Sequence, residues 1–153
     1  MRLRVPPITG NTALDTWLND IYQGSILAVG HITPCWVQSN VAATQTNVVL
    51  NLLGSATNTE IVMPVPGDII GISVASNEAR TAGVLTVRPV ISGTGSNLVT
   101  AALDATNTTY GFGVLEHSRL SFSPRDRIGV QITTTAAWTP VTADIVANLF
   151  ILF

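Results

Sequence analysis

One short motif occurs twice in the chain. Residues 66–72 read Pro-Gly-Asp-Ile-Ile-Gly-Ile, and residues 124–130 read Pro-Arg-Asp-Arg-Ile-Gly-Val. Proline fixes φ for a turn, and an aspartate side chain can close that turn locally. An alternating apolar run follows each copy, as in a half-buried strand. The repeat therefore predicts two equivalent corners, with Asp68 and Asp126 capping their own turns rather than forming a pair of catalytic carboxylates.

The match between the copies continues without a gap, because Ala79-Arg80-Thr81 falls where Ala137-Trp138-Thr139 falls. Residues that differ between the copies are candidates for specific contacts. Apart from the N-terminus, the chain is a series of short apolar runs separated by turn residues every eight to twelve positions, which predicts an all-β antiparallel sandwich or jelly roll. Strands are predicted at residues 25–32, 34–37, 47–53, 60–65, 70–74, 83–91, 98–103, 108–114, 117–122, 128–132 and 143–153.

Two strands carry additional information. Pro89 lies inside the predicted strand 83–91, which indicates an edge strand or an interruption of its pairing. The final strand, 143–153, is apolar on both faces, with Val146, Phe150 and Leu152 on one of them. A strand of this type is covered on both sides. One cover is the core, and the other must be helix, arm or a partner subunit.

The charge content is low. Only 10% of the residues are charged and lysine is absent, whereas about 25% is typical. Either Thr, Ser and Asn cover the surface or much of the surface is buried in an assembly, and we favour the second. The net charge of −2 argues against nucleic-acid binding. The longest apolar stretch, 145–153, is too short to span a bilayer.

The N-terminal 24 residues differ from the rest and are predicted to form a separate anchoring segment (residues 1–24) before the β-domain (residues 25–153). Residues 1–11 read as an extended arm with Pro6-Pro7, and no secretory signal is visible. Residues 12–23 predict the one helix, whose apolar stripe packs on its own domain or on a partner. The candidate anchor residues are Arg2, Arg4, Pro6, Pro7, Trp17, Leu18 and Tyr22.

Few residues could support catalysis. His31 and Cys35 are four apart, but a Cys-His nucleophile needs a third group and a zinc site needs two more ligands. His117 stands alone beside Glu116, and the glycine-rich loop 92–97 lacks the lysine and helix of a phosphate loop. We predict no catalytic residue, no metal and no cofactor.

Two stretches of sequence resemble known proteins. Arg4-Val5-Pro6-Pro7-Ile8-Thr9-Gly10-Asn11 with Leu14-Asp15-x-Trp17-Leu18 resembles the N-terminal attachment segment of small virion proteins of tailed bacteriophages. Residues 60–153 resemble jelly-roll domains of phage fibre, decoration and tail proteins, which are similar to the trimeric heads of complement C1q and tumour necrosis factor. The motifs are Pro66-Gly67-Asp68, Arg80-Thr81-Ala82-Gly83, residues 103–109 and residues 137–145.

The resemblance implies a homotrimeric structural virion protein, assembled in the host cytoplasm. We expect a capsid decoration (cement) protein that trimerises through Val146, Phe150 and Leu152 and binds the major capsid protein or another virion protein. The alternative is a tail-fibre or receptor-binding head that recognises a host surface glycan. Its possible contacts are Arg80, Ser96, Asn97 and Trp138. Trp138 would contact sugar as an aromatic ring exposed on a loop, but we favour packing of this ring within the domain or at a subunit interface.

Overall fold

The computed structural model describes residues 30–153. All regular structure in this range is strand, arranged in two antiparallel sheets. The strands are β1 (His31–Ile32), β2 (Cys35–Gln38), β3 (Val48–Val49), β4 (Asn51–Leu52), β5 (Glu60–Val62), β6 (Gly67–Ser76), β7 (Leu85–Ile91), β8 (Thr94–Gly95), β9 (Ala101–Leu103), β10 (Tyr110–Val114), β11 (Ser121–Phe122), β12 (Arg127–Thr134) and β13 (Ile145–Leu152). The predicted all-β antiparallel sandwich is confirmed, and its topology fits a jelly roll. The predicted arm, helix and domain boundary lie outside the described residues.

Sheet A has seven strands in this range, with the central order β10-β6-β13-β2-β4. β13 pairs along its whole length with β6. Its other side pairs first with β2 and then, at Ile151 and Leu152, with β1. The register of β13 on β6 shifts between Phe150 and Ile151, which is a β-bulge. The strand predicted at 25–32 is described only for its last two residues, in β1.

Sheet B has six strands in this range, with the central order β3-β12-β7-β8. One side of β7 pairs with β12, while the other pairs with β9 at Leu85–Val87 and with β8 at Val90–Ile91. The ladder on that second side is broken around Pro89, because proline has no N–H to donate. The predicted interruption of pairing is therefore confirmed.

Three segment predictions are wrong in detail. In the strand predicted at 117–122, residues 117–120 form turns and bends, and only β11 at its end is strand. The strand predicted at 47–53 is two strands, because β3 pairs with β12 in sheet B and β4 pairs with β2 in sheet A. The segment therefore crosses from one sheet to the other. The loop predicted at 92–97 contains β8, which forms a tight hairpin with β7. Ser92 and Gly93 both have positive φ (48° and 84°), as a two-residue hairpin turn requires.

The core lies between the sheets. It is built from the inward side chains of the long strands, such as Ile72 and Val74 on β6 and Leu149 and Ile151 on β13. Trp36, which is fully buried, donates from Nε1 to the Thr59 carbonyl oxygen at 2.8 Å. Burial of these side chains stabilises the sandwich by about 25 cal/mol per Å² of apolar surface.

The repeated corners lead into β6 in sheet A and β12 in sheet B. At matching positions further on, the two copies meet. The Thr81 N–H donates to the Thr139 carbonyl oxygen at 2.9 Å, and the two hydroxyls are 2.7 Å apart. Ala82 also forms an isolated bridge with Thr139. Equivalent points of the two copies thus tie sheet A to sheet B at one end of the sandwich.

Candidate functional site

The outward side of sheet A is the most distinctive surface of the described chain. Strand alternation and the pairing registers place the same set of side chains on it. We define the outer face of sheet A as Tyr110, Phe112 and Val114 of β10, Gly71, Ser73 and Ala75 of β6, Val146, Asn148 and Phe150 of β13, and Cys35 and Val37 of β2. Leu152 lies at its margin, opposite Asp68.

The apolar side chains of this face are uncovered. Val114 is 79% exposed, Phe112 70% and Tyr110 65%, while Phe150 is 43% and Val146 40% exposed. Single exposed apolar residues are ordinary on protein surfaces, but these five lie on β10 and β13, the two strands that flank β6, and together form one patch. Exposed apolar patches of this kind are typical of interaction surfaces.

The outer face contains no charged side chain. Its polar members are Ser73, Asn148 and the phenol group of Tyr110. Gly71 leaves a shallow apolar groove between β10 and Phe150, because a Cβ added there would meet Phe150 Cδ2 at 3.3 Å and the Gly113 carbonyl oxygen at 3.2 Å. The surface is therefore smooth, grooved and electrically neutral.

Sequence reasoning identified part of this face. Val146 and Phe150 lie on it as predicted, and Leu152 is half-buried at its margin. Their role as interface residues stays a prediction. Val114 was not predicted to lie on this face, although the run Tyr-Gly-Phe-Gly-Val at 110–114 indicates it. Because glycine occupies every inward position of β10, its three large side chains must all point outward.

The two repeated aspartates have different partners. Asp126 caps its own turn, as predicted: Oδ2 accepts from the Ser123 N–H at 2.7 Å and Oδ1 from the Ser92 hydroxyl at 2.8 Å. Asp68 does not cap its turn, and that prediction is wrong. It pairs instead with His117 Nε2 at 2.9 Å and accepts a hydrogen bond from the Ser121 hydroxyl. The sequence had suggested that His117 stands alone, whereas the structure pairs it with Asp68.

The Asp126 cap predicts a pH-dependent stability. Hydrogen bonds from the Ser123 N–H and then the Ser92 hydroxyl hold the pKa of the Asp126 carboxyl below its usual range. Because the folded-state pKa is lowered, this contribution is present above the unfolded pKa of about 4 and is lost as the pH falls through the folded pKa. We expect Asp126→Asn to lower the urea midpoint more at pH 6 than at pH 2. The exposed Glu116→Gln is the control, and equal losses at both pH values would contradict the prediction.

The predicted receptor contacts are not gathered in one place. Asn97 Oδ1 accepts from Arg88 on sheet B, and Ser96 Oγ accepts from the Leu98 N–H at 3.2 Å. Arg80 Nε instead donates to the Gly83 carbonyl oxygen at the end of the sandwich where Thr81 meets Thr139. Each of these side chains is engaged in holding a local turn or strand.

Trp138 is buried, which agrees with packing within the domain, the interpretation favoured from the sequence, and rules out the alternative of an exposed ring. It is 1% exposed and donates from Nε1 to the Val41 carbonyl oxygen at 3.0 Å. The backbone of Trp138 also lies so close to Gly83 that a Cβ there would be 2.4 Å from its nitrogen. The indole ring closes one end of the core and cannot stack on a sugar.

The described residues offer no evident chemistry for His31 and Cys35. His31 is exposed on β1, and burial raises the pKa of the Cys35 thiol, which is opposite to the activation of a nucleophile. Residues 30–153 contain no group of three or more His, Cys, Asp or Glu side chains that could hold a metal ion. They also contain no helix long and apolar enough to cross a membrane.

Residues 30–153 thus form an antiparallel β-sandwich in which no other described element covers the apolar outer face of sheet A. No protein-family model and no curated protein matches the chain. Among solved structures, it is similar to a chain in the acidic stable capsid of Helicobacter pylori bacteriophage KHP30, at 11% identity and TM-score 0.49 over 81% of this chain and 88% of that one.

Two further solved structures are similar to this chain. A chain of the capsid asymmetric unit of cyanophage Pam1 is 12% identical, with TM-score 0.47 over 82% of this chain and 87% of that one. The globular domain of zebrafish complement 1qA protein is 16% identical, with TM-score 0.42 over 77% and 94%. Similarity at this level carries no inference about function, which must come from the outer face and the sequence.

Proposed function

We propose that the protein is a structural component of a tailed-phage virion that assembles as a homotrimer through the outer face of sheet A. Its role is capsid decoration, with residues 1–24 as the anchor to the major capsid protein or another virion protein. The single observation that supports assembly is the uncovered, charge-free apolar face. The virion role and the number of three rest on the resemblance of residues 1–24 and 60–153 to phage proteins.

A second copy of the chain is the occupant that the chemistry of the face favours. A surface without charges offers nothing to attract or orient a charged partner, whereas an identical neutral surface matches it. The four paired strands of the face are four to ten residues long and cover roughly 400 Å², about half of the ~800 Å² that each partner buries in a typical stable interface. The low charge content, 10% of residues, agrees with a chain that buries much of its surface.

The proposal is tested first by the mass of the purified protein in solution. Light scattering coupled to size-exclusion chromatography at micromolar concentration should give three times the chain mass. A soluble monomer would contradict self-association and would mean that something else, such as residues 1–24, covers the face.

Removal of residues 1–24 separates assembly from attachment. We expect the truncated protein to remain trimeric, because the outer face lies wholly within residues 35–150. We also expect it to lose its place in the particle, measured by mass spectrometry of purified virions complemented with either form. Truncated protein at full copy number in virions would contradict the anchor role. A low copy number at the tail tip, together with binding of the purified protein to a glycan array, would favour the receptor-binding alternative over decoration.

A further inference from the structure

Asn148 is the polar residue at the centre of the outer face. Along β13 it lies between Val146 and Phe150, and its cross-strand neighbours are Ser73 on β6 and Cys35 on β2. The side chain is half-buried in the single chain, and within residues 30–153 its amide makes no hydrogen bond. An amide therefore projects from the middle of a largely apolar surface, whose other polar groups are the hydroxyls of Ser73 and Tyr110.

Covering this face would take the Asn148 amide out of water. A buried amide without a partner costs about 1–3 kcal/mol, so the assembly must supply a partner at that point. A carboxamide has both a donor N–H₂ and an acceptor oxygen. In a closed symmetric ring each copy can therefore donate to the next copy and accept from the previous one. Leucine at this position would avoid the cost altogether, and single buried polar residues are retained in some interfaces for specificity at a cost in stability.

We propose that Asn148 is the specificity-determining residue of the self-assembly and fixes how many copies associate and in which register. This inference rests on the proposed self-association through the outer face of sheet A. The physical basis is that apolar contacts tolerate sliding and alternative packings. A buried amide forms its hydrogen bonds only in arrangements that bring the Asn148 side chains of different copies together. A single polar residue in an apolar helical interface sets register and oligomeric number in the same way, at a cost in stability.

The test replaces Asn148 with leucine, which has a similar size. The side chain at this position points away from the core, so the fold should tolerate the change. Native mass spectrometry of the wild-type protein should show one stoichiometry, whereas Asn148→Leu should show at least two. Asn58→Leu, at an exposed loop position outside the face, is the matched control and should keep one stoichiometry. Circular dichroism confirms the fold of each variant, and Asn148→Ala is measured in the same way if the leucine variant aggregates.

The outcomes separate this inference from the proposed function. A monomeric wild-type protein overturns both. A wild-type trimer with Asn148→Leu and Asn148→Ala that each form only the trimer overturns the specificity role and leaves self-association intact. A wild-type trimer with mixed stoichiometries in either Asn148 variant, and a uniform Asn58→Leu control, supports the inference.

Discussion

Phe150→Glu is expected to convert the assembly into folded monomers. Phe150 points outward from β13 and is 43% exposed, so its replacement leaves the core between the sheets intact. In the assembly the same change places a carboxylate in a face that has no cation to pair with it. An unpaired buried ion costs several kcal/mol, and a loss of about 4 kcal/mol weakens association about a thousandfold. Light scattering should give the mass of one chain, with an unchanged circular dichroism spectrum.

The matched control for this variant is Val62→Glu. Val62 is 65% exposed, but it lies on β5 in sheet B, away from the proposed interface. Introducing the same charge there should leave the mass of the assembly unchanged. A Phe150→Glu protein with the wild-type mass would show that the outer face of sheet A is not the surface through which copies associate.

The second large effect is expected at Trp138. Trp138→Ala should lower the free energy of unfolding by about 3–5 kcal/mol, the usual cost of deleting a buried aromatic ring, because it opens a cavity and leaves the Val41 carbonyl oxygen without its donor. Trp138→Phe keeps most of the volume and should cost less. Urea unfolding must be compared at one protein concentration, since assembly adds to apparent stability.

Val141→Ala is the control for Trp138. It removes a side chain that is 50% exposed in the same loop, so it should change the free energy of unfolding by less than about 0.5 kcal/mol. A Trp138→Ala protein with wild-type stability would rule out a core role. If that protein also lost binding to a host glycan, Trp138 would be a receptor contact after all.

The fold was largely predictable because its signals are local. Alternating apolar and polar residues predicted β6 and β12. The missing N–H of Pro89 predicted the break in the pairing of β7. Packing of Trp138 within the domain or at an interface was favoured from the sequence, but the part of the core that it covers was not predictable in the same way. Its neighbours in sequence indicate a loop, and only the hydrogen bond to Val41, 97 residues away, reveals that this loop folds over the core. Local sequence shows where a strand ends, not what the following loop covers.

The candidate site was predictable in part for the same reason. The two apolar faces of β13 identified Val146 and Phe150 without any knowledge of pairing. The hydrogen bond of Asp68 could not be predicted, because its donor, the Ser121 hydroxyl, lies 53 residues away in the sequence. Identical motifs therefore predicted identical roles, and long-range contacts gave one copy a different role.

β10 has a consequence for the lifetime of the newly made subunit. It is the edge strand of the central order of sheet A, and it carries the three most exposed residues of the outer face. An open strand edge beside uncovered apolar side chains is a template for unspecific pairing with other chains. Under the proposed self-association, each subunit must bind its partner copies soon after folding, and slow synthesis that keeps the subunits dilute prolongs the state in which they aggregate. The yield of trimer would then depend on the rate of encounter as much as on the stability of the finished assembly.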